Sequence, residues 1–118
     1  MLQNKKEDYR AWPEAAIETT VQVVGGKWKG IILNHLIGGE LRFNQIRRVI
    51  PDITQRMLTL QLRELERSGV VRRRVYSGMP MRVGYSLSDL GKTLIPLLQA
   101  MQEWGESYLT SAADIDSD

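Results

Sequence analysis

Between residues 54 and 87 the spacing of apolar residues changes from the period of a helix to the period of a strand. No other stretch constrains the fold as strongly. Wound at 100° per residue, Leu58, Leu62 and Leu65 fall within about 60° of one another. Thr54 stands before them as an N-cap residue, and Ser68-Gly69 closes the run, so a helix is drawn from Thr54 to Arg67. Two strand-like runs follow, Val70 to Tyr76 and Met81 to Leu87, the second alternating through Val83, Tyr85 and Leu87. Ser77-Gly78-Met79-Pro80 links them as a hairpin turn.

The rest of the chain reads as short helices around this unit. Pro13 suits a first helical turn, and Ala16, Ile17, Val21 and Val24 recur at helical spacing up to Gly25-Gly26. A second helix from about Lys27 to Ile37 places Trp28, Ile31, Ile32, His35 and Leu36 mainly on one side and ends at Gly38-Gly39. Leu41-Arg42-Phe43 is extended. A third helix, Asn44 to Val49, presents Ile46, Val49 and Ile50 inward, and Pro51 closes it. A last helix from about Ser88 to Leu109 carries the stripe Leu90, Leu94, Leu97, Leu98, Met101, Trp104 and Tyr108. Pro96 inside it demands a kink or a displaced start.

The expected fold is mainly α with a small β-hairpin wing, a winged helix-turn-helix that dimerises through its N- and C-terminal helices. At 118 residues a single domain is expected, drawn over residues 10–110, with a flexible N-terminus at 1–9 and a disordered acidic tail at 111–118.

The net charge of +2 conceals a strong segregation. Residues 1–41 hold five basic and five acidic side chains and are neutral. Residues 42–82 hold ten arginines against Asp52, Glu64 and Glu66, a net +7. Residues 83–118 hold Lys92 against six acids, a net −5. A basic block of this density suits a polyanion, and guanidinium groups fork onto phosphate or guanine.

On the helix from Thr54 to Arg67, Arg56, Thr59, Leu60, Arg63 and Arg67 fall opposite the leucines, with Gln55 at the N-terminal shoulder. Arg reads guanine, Gln reads adenine, and apolar groups meet the thymine methyl, so this is the residue set of a helix in the major groove. A plain solvated face would instead mix Lys with Glu. In the wing, Arg72, Arg74 and Arg82 are placed to reach backbone or minor groove. Strand alternation turns Arg73 to the other face, and protection of an edge strand is the rival explanation of these charges. Arg42, Arg47 and Arg48 are placed to hold phosphates, beside Asn44. The DNA-contacting set is therefore Arg42, Asn44, Thr54, Gln55, Arg56, Thr59, Leu60, Arg63, Arg72, Arg74 and Arg82. Trp12, Ile17, Val21, Leu97, Met101, Trp104 and Tyr108 give the terminal helices more apolar surface than one small core uses, and form the expected dimer interface.

Several function classes fall away. With no cysteine, the chain has no disulfide, thiolate nucleophile or Cys-based zinc site. His35 is the single histidine and sits among apolar residues, so it reads as a core or boundary side chain. Gly25-Gly26-Lys27 lacks the rest of a phosphate loop, and no catalytic, metal or cofactor site is expected. Met79 and Met81 read as surface methionines. Few aromatics are available to stack RNA bases. Neither a signal segment nor an apolar run of membrane-spanning length occurs, which points to the cytoplasm and no membrane partner. A winged module that binds proteins without reading DNA is the remaining alternative.

The segments GGKWKGIIL (25–33), LRFNQIRRVIPDITQRMLTLQLRELERSGVV (41–71), VGYSLSDLGKTL (83–94) and EWGE (103–106) together resemble the HxlR-type family of prokaryotic regulators, relatives of the MarR group. The resemblance spans about residues 12–108. It implies a cytoplasmic homodimer bound to double-stranded DNA, with Thr54 to Arg67 as recognition helix and the terminal helices as interface. Family members repress or activate genes, often in response to electrophiles, aldehydes or oxidants. Many carry a cysteine just before the proline of the first helix; this chain has Trp12 there. A thiol switch is therefore excluded, and any small-molecule effector must bind non-covalently. The expected place is a pocket between the Trp12 region, the second helix and the last helix.

Overall fold

The computed structural model describes residues 12–117. Helix α1 (Trp12–Val24) leads into α2 (Lys29–Leu36), strand β1 (Leu41–Arg42), α3 (Phe43–Val49) and α4 (Gln55–Arg67). Strands β2 (Val71–Tyr76) and β3 (Arg82–Leu87), a single turn α5 (Asp89–Lys92) and a long α6 (Ile95–Ser117) complete the chain. The expected N-terminal segment 1–9 lies outside the described residues.

Helix α4 is anchored at both ends by the residues that announced it. Thr54 Oγ1 accepts a hydrogen bond from the Met57 N–H at 3.0 Å, satisfying one of the amides that a helix start leaves open. At the other end the Gly69 N–H donates to Glu66 O and the Val70 N–H to Leu65 O, with Gly69 at a φ of 80°. This is a Schellman ending, and it turns the chain directly from α4 into β2. Leu58, Leu62 and Leu65 are buried to within 1% of complete and meet Ile32, Leu33, Leu36, Ile46, Ile50, Ile53, Val70, Val71, Leu87 and Leu98 in one core.

The three strands pair antiparallel in the order β1-β3-β2. Leu41 opposes Tyr85 and Arg42 opposes Gly84 on one side of β3. On the other side Arg72 opposes Ser86, Arg74 opposes Gly84 and Tyr76 opposes Arg82. Val71 and Leu87, a facing pair, are both buried and mark the core face of the sheet.

Four expectations are corrected. In α2 the inward residues are Ile32, Leu33 and Leu36, whereas Ile31 is exposed. Helix α2 is apolar on more than one side, so a single-face pattern misassigns it. Val49 is also exposed, because α3 is a short helix that buries only Ile46. The last helix is two helices: Ser88 Oγ caps α5 by accepting from the Gly91 N–H, the chain breaks at Thr93-Leu94, and α6 begins at Ile95 with Pro96 in its first turn, where no amide is needed. Finally, α6 runs to Ser117, so residues 111–117 extend the helix that was expected to stop at Leu109 and give way to a tail.

Two substitutions test this packing. Leu62→Ala should destabilise the fold by about 2–5 kcal/mol through lost burial and a cavity. Thr54→Ala should cost about 1 kcal/mol by removing a cap. Urea unfolding followed by circular dichroism measures both, and near-equal losses would contradict the assignment of Leu62 to the centre of the core.

Candidate nucleic-acid interface

The leucine face fixes which side of α4 meets solvent. Gln55, Arg56, Leu60, Arg63 and Arg67 are exposed, and Thr59 is half-buried between them. Thr59 Oγ1 donates to Gln55 O at 2.9 Å, so its donor is already used, and its methyl and the lone pairs of its oxygen remain for a partner. Leu60 is an apolar group 46% exposed in the middle of this polar face. Thr54, Gln55, Arg56, Met57, Thr59, Leu60 and Arg63 line one shallow concavity. Thr54 enters it with its acceptor engaged as the helix cap.

Charge on this face is uncompensated. All ten arginines between residues 42 and 82 are exposed, and among the described residues none has a carboxylate within ion-pair distance. The acid nearest in sequence to Arg63, Glu64, turns inward to Lys29, Nζ to Oε2 2.9 Å, and the same Nζ reaches Gln22 O at 3.4 Å. The lysine is 16% exposed, so α4 is tied to α2 and to the end of α1 behind the arginine surface.

A second basic region joins α3 to the wing. Arg42, Asn44, Arg48 and Arg82 share a groove with Pro80 and Met81. The Arg42 backbone N–H donates to Gln45 Oε1 at 2.8 Å and starts α3, leaving its guanidinium outside. The strand register carries Arg72, Arg74 and Arg82 on the sheet face opposite the core, level with Arg42, and turns Arg73 to the core side. The expected set therefore divides into a cluster on α4 and a cluster on α3 and the wing.

Some features of the second cluster have no sequence signal. Tyr76, at the end of β2, donates its hydroxyl to Glu40, at 3.0 Å from Oε1 and 2.8 Å from Oε2. The Arg74 guanidinium lies 5.1 Å from the centre of the Tyr76 ring. The phenol is held above its ordinary pKa, first by this hydrogen bond to Glu40 and then by desolvation, with Arg74 opposing. Glu40 and Tyr76 stand 36 residues apart, and only the sheet order brings them together.

The terminal helices turn apolar groups outward. Ile17, Val21, Trp104 and Tyr108 are more than half exposed, and Trp12 and Met101 nearly so. Leu97 is half-buried. Trp104 stacks on Tyr108 with ring centres 5.1 Å apart. The groove nearest the expected effector pocket is lined by Val24, Lys27, Ile31, Asn34, Leu98 and Met101, so it lies at the end of α1 between α2 and α6, and Trp12 is not in its wall. Among the described residues no three of His, Asp and Glu converge as metal ligands, and no helix is long and apolar enough to cross a membrane.

Comparison with known proteins agrees with this architecture. Residues 23–113 match the model of the HxlR-like helix-turn-helix family. The HTH-type transcriptional regulator YdeP of Bacillus subtilis is 55% identical over 102 residues, covering 86% of this chain and 77% of that protein. The reduced form of the redox regulator HypR superposes with a TM-score of 0.80 at 54% identity, over 84% of this chain and 98% of that one. A MarR-family regulator from Enterococcus faecalis V583 gives 0.75 at 34% identity, over 86% and 92%. The winged helix-turn-helix expected from the change of period is thus the fold observed, and the chain belongs to the HxlR-like helix-turn-helix family of DNA-binding transcriptional regulators.

Proposed function

We propose that the protein acts in the cytoplasm as a homodimeric repressor that occupies a pseudo-palindromic operator. In this reading α4 enters the major groove, with Gln55, Arg56, Thr59, Leu60 and Arg63 against base edges. Arg42, Asn44, Arg72, Arg74 and Arg82 hold the flanking backbone or minor groove. The observation that carries it is the outward face of α4, where exposed guanidinium groups have no carboxylate partner among the described residues while the leucines behind them are sealed in the core. A winged module that binds proteins alone gives no reason for ten exposed arginines with no carboxylate partner among the described residues.

The apolar faces of Trp12, Ile17 and Val21 on α1 and of Leu97, Met101, Trp104 and Tyr108 on α6 support pairing of two copies. Two-fold pairing sets two recognition helices about one helical turn of DNA apart. The groove at Val24, Ile31, Leu98 and Met101 adjoins both terminal helices and suits a small apolar effector, bound without a covalent step because the sequence holds no cysteine.

Selection of bound duplexes from a random pool should return a two-fold symmetric motif; an asymmetric motif would refute the paired arrangement. Arg56→Ala should cost about 1–3 kcal/mol on the selected operator and little on random duplex, measured by fluorescence anisotropy at fixed salt. Equal loss on every sequence would reassign Arg56 to a phosphate. Trp104→Glu should convert the dimer to monomer in sedimentation equilibrium at micromolar concentration; an unchanged mass would remove α6 from the interface.

A further inference from the structure

The strongest unassigned constellation lies across the outer face of the sheet. Glu40 precedes β1, at one edge. Its side chain crosses the central strand β3 and meets the Tyr76 hydroxyl on β2, at the other edge. It passes directly over Gly84. A Cβ on that glycine would stand 2.6 Å from Glu40 Oε2 and 2.8 Å from Cγ, closer than real atoms approach. Only glycine leaves the crossing open.

The two residues belong to different parts of the interface. Glu40 continues through β1 into α3, which is the helix-turn-helix body. Tyr76 is the last residue of β2 before the turn at the wing tip, and its ring lies beneath Arg74. The hydrogen bond therefore links the tip-proximal end of the wing to the body, and the ring holds one arginine of that wing. In register, Arg74, Gly84 and Arg42 form a row across the sheet, so the crossing over Gly84 lies between a wing arginine and a body arginine.

We infer that Glu40, Gly84 and Tyr76 form a strut that positions the wing, and Arg74 in particular, for contact with the DNA flanking the recognition site. The strut is exposed, so water competes for both partners and it adds little to global stability. Its effect is on order. A wing already held in its bound position loses less conformational freedom when it docks. A carboxylate among arginines weakens attraction for phosphate, and the strut accounts for its presence there. Glu40 engages a neutral phenol, not an arginine.

This inference rests on the operator reading for its consequence, but the strut itself is testable in the free protein. Tyr76→Phe keeps the ring under Arg74 and removes only the hydroxyl. Amide hydrogen exchange in residues 74–82 should accelerate severalfold while exchange in α4 and the melting temperature stay unchanged. On the operator, affinity should fall about 3- to 10-fold, and hydroxyl-radical protection should fade at the flanks and persist at the α4 half-sites. Gly84→Ala, which displaces Glu40, should give the same pattern and add nothing to Tyr76→Phe. Glu40→Gln keeps an acceptor without the charge and should preserve flank protection. Wing exchange equal to wild type in Tyr76→Phe would overturn the strut. Faster exchange with intact flank protection would overturn its positioning role. Absence of any protection by the unaltered protein would instead refute the operator reading, leaving the exchange result to decide the strut.

Discussion

The seating of Leu58, Leu62 and Leu65 in the core is the interaction on which the interface depends. It gathers Arg56, Arg63 and Arg67 on one solvent face, and that arrangement has a cost. Two like charges 10 Å apart in water repel by roughly 0.4 kcal/mol, less once salt screens them. Burial of each leucine contributes roughly 1.5–3 kcal/mol. Hydrophobic burial therefore wins, and it holds a concentration of positive charge that the arginines left to themselves would disperse. A polyanion that neutralises this charge relieves the repulsion, so the tension that the core sustains in the free protein becomes part of the driving force for binding.

Two carboxylates near this surface, Glu64 and Glu40, are engaged by groups other than arginine. Glu64 faces backward to Lys29, in a pair that is partly shielded from water and linked to the Gln22 carbonyl at the end of α1. Its charge is cancelled where it would otherwise sit one residue from Arg63. Glu40 is taken up by Tyr76. The net +7 read from residues 42–82 thus understates the positive character of the exposed face of α4, because one of the three acids counted against it is paired from behind. Net charge by segment points to the candidate interface, but the direction of each side chain decides the field it presents.

What the sequence disclosed follows from how many sides of an element are buried. Helix α4 packs on one side only, so its leucine period was unambiguous, and Thr54 and Gly69 marked its ends through local hydrogen bonding and backbone conformation. Helix α2 contributes Ile32, Leu33 and Leu36 to the core and also offers Ile31 to the groove beside Leu98 and Met101. Its apolar residues do not form one stripe, so a single-face period selects the exposed Ile31 and passes over the buried Leu33. Pro96 signalled a discontinuity, but whether as a kink or a new start depends on the Ser88 cap and the close approach of Gly91 to the Val70 carbonyl, a contact between distant segments. The Glu40 to Tyr76 link was illegible for the same reason. It requires the strand order β1-β3-β2 and a register that places a glycine between them.

The terminal helices follow a different logic from the interface. The described chain has a radius of gyration of 17.4 Å, against roughly 13–14 Å for a compact domain of this length. Helix α1 buries only Val24, and α6 extends well past Leu98, its one buried residue among those described. A helix whose apolar residues are largely exposed gains little from hydrophobic burial, and propensity alone is a weak reason for a 23-residue helix to persist in water. Helix α6 also carries Pro96 only in its first turn, where it costs nothing, so no internal break relieves the requirement for a packing partner along the remainder. The proposed pairing of two copies through these faces meets that requirement. It lies at the ends of the chain, away from α4, so the proposed pairing surface and the proposed DNA-reading surface place no competing demands on the same side chains. Beside the core that Val24 and Leu98 share with the α4 leucines, Lys29 joins the end of α1 to the back of α4, and a shift of the terminal helices would reach α4 through these contacts.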